Sequence, residues 1–489
     1  MSEAGPSTSA GSPGAEARNA ANGEARPASF APLDAGDPNS EPRPAKSSPD
    51  PCGRKVKTTP GSFLGGAIGR LLPASIPFRY FGAAAAFHVA GWIALFAGAD
   101  SAPRYRGGLG WTLAALHLIT LGVLTTTAIG ASLQLLPVAT RQAVRSRHAP
   151  ALVFWLYTPG VAAAALGMGL PSVPLLAAGA ILIAIALAIY AVLLAHNLLG
   201  ARGMPAVIAH VWVAWIALAI VLVAALSLAF SYAGGFALPR PVALALHVPF
   251  AAYGFMGMLA LGLSYILVPM FALSRPPDER FALVSCALAC AALAAVAVAA
   301  FGIAVVALRV AAIAAGVVAV ALHLRLMLAA LAKGMRRDLG PSFRLVRIGW
   351  AMLAASLVAA LCVALDVPFA GMPTLFGLLL IAGWLLTFLL GILQRIVPFL
   401  ASMHASRGKH RPPTPSSLAA GPALRIHYLC HMSALAVLTA AILLDSAWFA
   451  RIGALIGLVG SMAFLAFFVQ VVRRMLGVGA KSGTHAASV

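Results

Sequence analysis

The sequence predicts an all-α polytopic membrane protein of about twelve transmembrane helices, arranged as three pseudo-repeated four-helix units. Three observations predict it. Of the 489 residues, 61% are hydrophobic and 10% charged, and the mean hydropathy is +0.92, far outside the range of soluble domains. Apolar runs of twenty or more residues recur along the chain, each long enough to cross ~30 Å of hydrocarbon. A spaced signature occurs three times, as Gly122-x7-Gly130-x6-Pro137, Gly254-x7-Gly262-x6-Pro269 and Gly383-x7-Gly391-x6-Pro398, about 130 residues apart. A period of that length marks a structural unit repeated in tandem. The alternating apolar and polar strands of a barrel are missing, which leaves helices as the spanning structure.

Residues 1–62 are rich in Ser, Pro, Ala, Gly and charge. They hold too little apolar surface to offset the entropy of ordering, so a disordered cytoplasmic segment is expected. No apolar core of a cleavable signal occurs there, so the first span itself directs insertion. Residues 63–76 read as a short interfacial stretch. The transmembrane domain covers 76–475, with repeat units at about 76–200, 205–335 and 342–475, and 476–489 form a cytoplasmic tail. The twelve spans fall near 79–98, 110–138, 151–170, 173–199, 206–232, 241–273, 281–301, 304–332, 345–366, 373–400, 425–445 and 448–474. The division between the seventh and eighth is set at Gly302. The spans preceding each signature add weaker support for the repeat, with Trp92-Ile-Ala-Leu, Trp215-Ile-Ala-Leu and Trp350-Ala-Met-Leu.

Orientation follows from the basic residues of the loops. With both termini inside, the inner loops hold fifteen Lys and Arg, among them Arg141, Arg145, Arg147, Arg275, Lys333, Arg337 and Arg411. The outer loops hold four: Arg104, Arg106, Arg240 and Arg451. Under the positive-inside rule this predicts a bacterial inner-membrane protein with cytoplasmic N- and C-termini. Spans 2, 6 and 10 then run from outside to inside, with each signature proline at the cytoplasmic end. The same reading explains the net charge of +21 by topology. Because no basic-aromatic surface is left over, nucleic acid is not a partner; the lipid bilayer is. Glycines eight apart lie within ~80° of each other on an α-helix, close enough to form a groove for a neighbouring helix or a ring.

Candidate chemistry rests on histidines. His88, His117 and His247 lie at similar depth, roughly 10–15 Å from the outer ends of spans 1, 2 and 6 at 1.5 Å per residue. An imidazole buried among Ala, Leu and Ile needs a hydrogen-bond partner or a metal. Thr120, Thr125, Thr126 and Thr127 are candidate partners; otherwise His117 and His247, with His88, are candidate haem or metal ligands. His196, His210, His323, His427 and His431 fall toward the cytoplasmic ends, where solvation at the interface is expected. Within that group His427 and His431 are spaced i, i+4 on one helix face, a weak metal-ligand signature, to which His404 and His410 are the nearest additions. Cys286 and Cys290 are one turn apart and read as small core residues rather than a metal site. No span carries a central Asp or Glu, which argues against a carboxylate-driven pump or ion-coupled transporter.

Twelve spans in three units, with histidines in the outer halves of spans 2 and 6, resemble the haem–copper oxidase catalytic-subunit superfamily. Pro77-Phe78-Arg79-Tyr80-Phe81 before span 1 looks like the start of NnrS-type proteins, a haem- and copper-associated branch linked to nitric oxide. The stretch from His117-Leu-Ile-Thr-Leu-Gly122 to Gln134-Leu-Leu-Pro137 is similar to span 2 of such proteins. The resemblance implies that His117 ligates a low-spin haem and that His247 ligates copper. It also requires a His-His pair in span 7 and a His-x-His in span 10. Residues 281–301 and 373–400 contain no histidine, so the complete oxygen- or nitric-oxide-reducing centre is not expected. The reading is therefore an oxidase-like membrane protein that binds haem or copper in its outer half and supports respiratory or nitric-oxide metabolism, with respiratory-complex partners. The alternatives are a cofactor-free structural or assembly protein, or a transporter of a neutral substrate.

Overall fold

The computed structural model describes residues 72–483 apart from 147, 236, 337, 406–412 and 420. The predicted disordered segment, most of the interfacial stretch, the end of the tail, and Arg147, Arg337, Arg411 and His410 lie outside the described residues. Among the described residues, twelve helices are long and apolar enough to cross a membrane. Spans 1–4 are Ser75–Ala97, Trp111–Thr140, Ala149–Gly169 and Val173–Leu199. Spans 5–8 are Pro205–Phe230, Arg240–Ala272, Glu279–Ala300 and Val305–Ala332. Spans 9–12 are Gly340–Ala364, Met372–Ala405, Gly421–Leu443 and Ala447–Gly477, the last helix continuing to Gly483. The turn between spans 7 and 8 does fall at Gly302, whose φ of +87° is a left-handed conformation that favours glycine.

Spans 2, 6 and 10 are the innermost. Their apolar stretches are 67, 89 and 56% buried, against at most 50% elsewhere. The other nine helices surround them, and the ring closes because span 1 packs on span 12, span 4 on span 5 and span 8 on span 9. On the arginine-poor face, Arg451 holds Asp100 through two hydrogen bonds of 2.7 and 2.8 Å, and Arg104 pairs with Asp445. On the opposite face the inter-unit loops bend back over the ends of the inner spans. Arg202 N–H donates to the Thr140 carbonyl at 2.9 Å, and Arg336 N–H donates to the Ala272 carbonyl at 3.1 Å.

Each inner span contains a stretch of π-helix, at Leu118–Thr125, Phe250–Gly257 and Leu378–Leu386. All three begin four or five residues before the first signature glycine and end three after it. Every first glycine therefore sits in a widened turn. This explains the spacing. On a pure α-helix eight residues overshoot two turns by ~80°. With half of them in an i→i+5 ladder of roughly 4.4 residues per turn, they make two full turns and face one direction.

The partner is the preceding span. A Cβ at Gly122 would lie 2.7 Å from Phe87 Cβ, and one at Gly130 2.7 Å from Tyr80 Cβ. Gly254 and Gly262 stand in the same relation to Ala217 and His210 at 2.7 Å, and Gly383 and Gly391 face Met352 and Leu345 at 3.2 and 3.1 Å. The partner residues are seven apart in all three units, two ordinary turns against two widened ones. The glycines thus serve close helix approach. This register also corrects one repeat element. Trp215 and Trp350 each lie two residues before the partner of the first glycine, whereas Trp92 lies five after Phe87. Trp92 instead packs on Gly457 of span 12.

Candidate functional site

Spans 2 and 6 bring His117 and His247 together. Their ring centroids are 6.3 Å apart and their planes 23° from parallel. Both sit just upstream of π-helix, His117 immediately and His247 three residues before Phe250. His117 Nδ1 lies 3.0 Å from the Leu113 carbonyl. A carbonyl only accepts, so Nδ1 carries hydrogen, and in the uncharged ring Nε2 is left as a lone pair. His247 Nδ1 is buried without a hydrogen-bond partner.

The threonines expected to satisfy these rings do not. Thr120 Oγ1 donates to the Leu116 carbonyl, Thr125 to Thr120 and Thr126 to Leu121, each at 3.0 Å, and Thr127 Oγ1 has no partner. The physical reason is the π-helix, whose return to α-geometry shifts backbone carbonyls out of the i→i+4 ladder and offers them to hydroxyls five residues later. Thr387 repeats the device in span 10, donating to the Ala382 carbonyl at 2.8 Å. Thr126 and Thr387 hold the same repeat position, four residues after the first glycine.

His88 does not join that pair. It packs against span 11, 6.2 Å from His427, which in turn stacks 5.7 Å from His431. The three rings are at most 2% exposed. Trp92 Nε1–H donates to His88 Nε2 at 3.0 Å, so His88 carries its hydrogen on Nδ1 and its lone pair is already used. That arrangement does not support His88 as a haem or metal ligand. His427 has the same tautomer, since Nδ1 donates to the Gly460 carbonyl at 3.2 Å, but its Nε2 is buried without a partner. His431 Nε2 is 2.7 Å from Thr387 Oγ1, which ties the cluster to the end of the π-helix in span 10. Of the outer group, His88 therefore stands apart from His117 and His247, in a cluster with His427 and His431.

A third group is invisible to the depth argument. His210 of span 5 and His323 of span 8 flank Tyr265 of span 6, with centroids at 5.3 and 5.1 Å. His323 Nδ1 lies 3.0 Å from the Tyr265 hydroxyl, and His210 Nδ1 donates to the Ala206 carbonyl at 2.8 Å. The Nε2 atoms of both histidines are buried without partners. Interfacial solvation thus fails for His210, His323, His427 and His431, all fully enclosed by protein. His196, by contrast, is exposed, with its Nδ1 2.9 Å from the Val192 carbonyl. The cause is vertical stagger of the helices. His88 lies thirteen residues from the start of its helix and the adjacent His427 six from the start of its own, so those ends differ in level by roughly 10 Å.

His404 packs edge-on against Phe78, centroids 6.5 Å apart. Cys286 is buried while Cys290 is exposed. Among the described residues, no three His, Cys, Asp or Glu side chains gather into a metal-holding group. What the protein offers is pairs of imidazoles, several with a free ring nitrogen, in an apolar interior beside π-helical turns, a form often found at functional sites. The sequence matches no family model and no curated protein.

Proposed function

We propose that this multi-pass membrane protein binds haem between spans 2 and 6 through His117 and His247. The observation that carries this reading is their ring separation of 6.3 Å at 23°. Rings at this separation would leave room for one metal ion held by both imidazoles, at the usual nitrogen–metal distance of about 2.0–2.1 Å. Two supports stand beside it. The His117 Nδ1–H bond to Leu113 is the outer hydrogen bond that orients a ligating imidazole, and His247 Nδ1 is buried without a partner.

Donor number favours haem over copper. Two protein ligands suffice where a porphyrin supplies the other four, whereas tetragonal copper(II) and His₂Cys copper sites use more than two protein donors, and none joins the pair among the described residues. When bound, the haem supplies a one-electron redox centre. The chain's own part is to fix the His117 tautomer through the Leu113 carbonyl and to hold the two rings near parallel. The resemblance to oxidase-like and NnrS-type proteins extends the proposal to a supporting role in respiratory or nitric-oxide metabolism at the bacterial inner membrane, both termini cytoplasmic.

The test is the absorption spectrum of protein purified from haem-replete cells. A Soret band is expected, abolished in His117→Ala and in His247→Ala and retained in His210→Ala. A colourless preparation, or a band indifferent to both substitutions, refutes the proposal.

A further inference from the structure

We infer that the arginine-rich face carries a binding site for an anionic phospholipid, between spans 7 and 8. A cavity of about 620 Å³ there is lined by Arg275, Asp278, Phe281, Arg325, Leu326 and Lys333 among others. Three cations thus face one carboxylate. That carboxylate is engaged, since Asp278 caps span 7 by accepting from the Arg280 backbone N–H at 2.8 Å. Arg275, Arg325 and Lys333 are exposed, and no ion pair among the described residues involves them. The residues lining the cavity therefore carry a net charge of +2, and no ion pair among the described residues offsets it.

Depth separates this cavity from an ordinary basic loop. Arg325 is seven residues from the end of span 8 at Ala332, so its Cα sits roughly 10 Å inside the helix end. A guanidinium at that level extends toward the interface or meets an anion. Spans 7 and 8 are the two least buried helices, at 22 and 11%, so lipid reaches the groove between them. Beside the cations the wall is apolar: Phe281, Leu322, Leu326 and Ala329, with Phe281 52% exposed.

A basic rim continuous with an apolar wall matches a glycerophospholipid, phosphate on the cations and the first part of an acyl chain along the leucines. Basic pockets between transmembrane helices hold anionic headgroups in this way. A zwitterionic headgroup would bring its own cation to the same place and bind less well. Free phosphate would leave the apolar wall uncovered. The site is independent of the histidine chemistry.

The experiment uses the full chain in detergent micelles, with lipid retention read by native mass spectrometry. Phosphatidylglycerol should be retained in preference to phosphatidylcholine. The double variant R325Q/K333Q should weaken phosphatidylglycerol roughly thirtyfold, at about fivefold per juxtamembrane charge. R344Q/R347Q, basic residues in the first turns of span 9 on the same face, should leave it unchanged, and R325K should retain binding because the charge is kept. Equal retention of the two lipids, equal retention by R325Q/K333Q and the unaltered protein, or loss in R325K as large as in the double variant would each overturn the inference. Displacement of the lipid by inorganic phosphate would overturn its lipid character.

Discussion

Alanine substitution along the glycine repeat separates tight from loose contacts within one motif. Gly262→Ala places a methyl group 2.7 Å from His210 Cβ, where ordinary contact begins at 3.4 Å. Neither atom moves by rotating a side chain, because both are Cβ atoms fixed to helix backbones. Spans 5 and 6 must therefore separate by at least 0.7 Å, from 2.7 to 3.4 Å. They are held by the packing of His210 on Tyr265, so the helices resist. Overpacking of this kind costs about 1–3 kcal/mol, against a gain of roughly 0.8–1.0 kcal/mol from the better helix propensity of alanine. A net loss of about 0–2 kcal/mol is expected. Gly391→Ala should lose more, because the Ser342 carbonyl oxygen stands 2.7 Å from the new methyl and is backbone. Gly383→Ala meets Met352 Cγ at 3.2 Å, an adaptable side chain, and should be neutral or slightly stabilised. The measurement is the melting midpoint of detergent-purified protein, followed by loss of the monodisperse peak in fluorescence-detected size-exclusion chromatography. A fall for Gly383→Ala equal to that for Gly262→Ala would refute the argument from contact distance.

Two further substitutions probe polar contacts. Tyr265→Phe keeps the ring between His210 and His323 but removes the hydroxyl 3.0 Å from His323 Nδ1, and leaving that nitrogen unpaired should cost about 1–3 kcal/mol; an unchanged midpoint would show that the bond contributes nothing. Arg451→Ala breaks the bidentate pair with Asp100, but Asp100 is 73% exposed, so the loss should stay below ~1 kcal/mol and vanish in high salt. A larger or salt-independent loss would contradict the assignment of this pair to the solvated face.

Much of the architecture was legible because hydropathy and period are properties of single segments. Every span end falls within five residues of its expected place, and the 130-residue period marks the three inner helices. The similar depth of His117 and His247 was also legible from their place in equivalent spans, but not that their rings meet. What could not be read is whatever depends on how helices rotate and slide against each other. His210, Tyr265 and His323 lie on three different spans and meet only through the packing of unit 2. The depth rule missed them because it assumes that all spans begin at one level. The π-helix was hidden for a different reason. It arises from a backbone ladder, and its only sequence traces are the threonines Thr126 and Thr387 and the eight-residue glycine interval, which on an α-helix looks like an imperfect stripe.

Closure of the ring through spans 1 and 12 has a consequence for biogenesis. The buried face of span 1 is completed by residues synthesised some 340 to 390 positions later: His427 against His88, Gly457 against Trp92, and Phe468 against Phe78. During translation that face, with its polar imidazole and indole groups, waits in lipid or against the insertion machinery until the last hairpin arrives. Span 1 is thus enclosed only once spans 11 and 12 have been made.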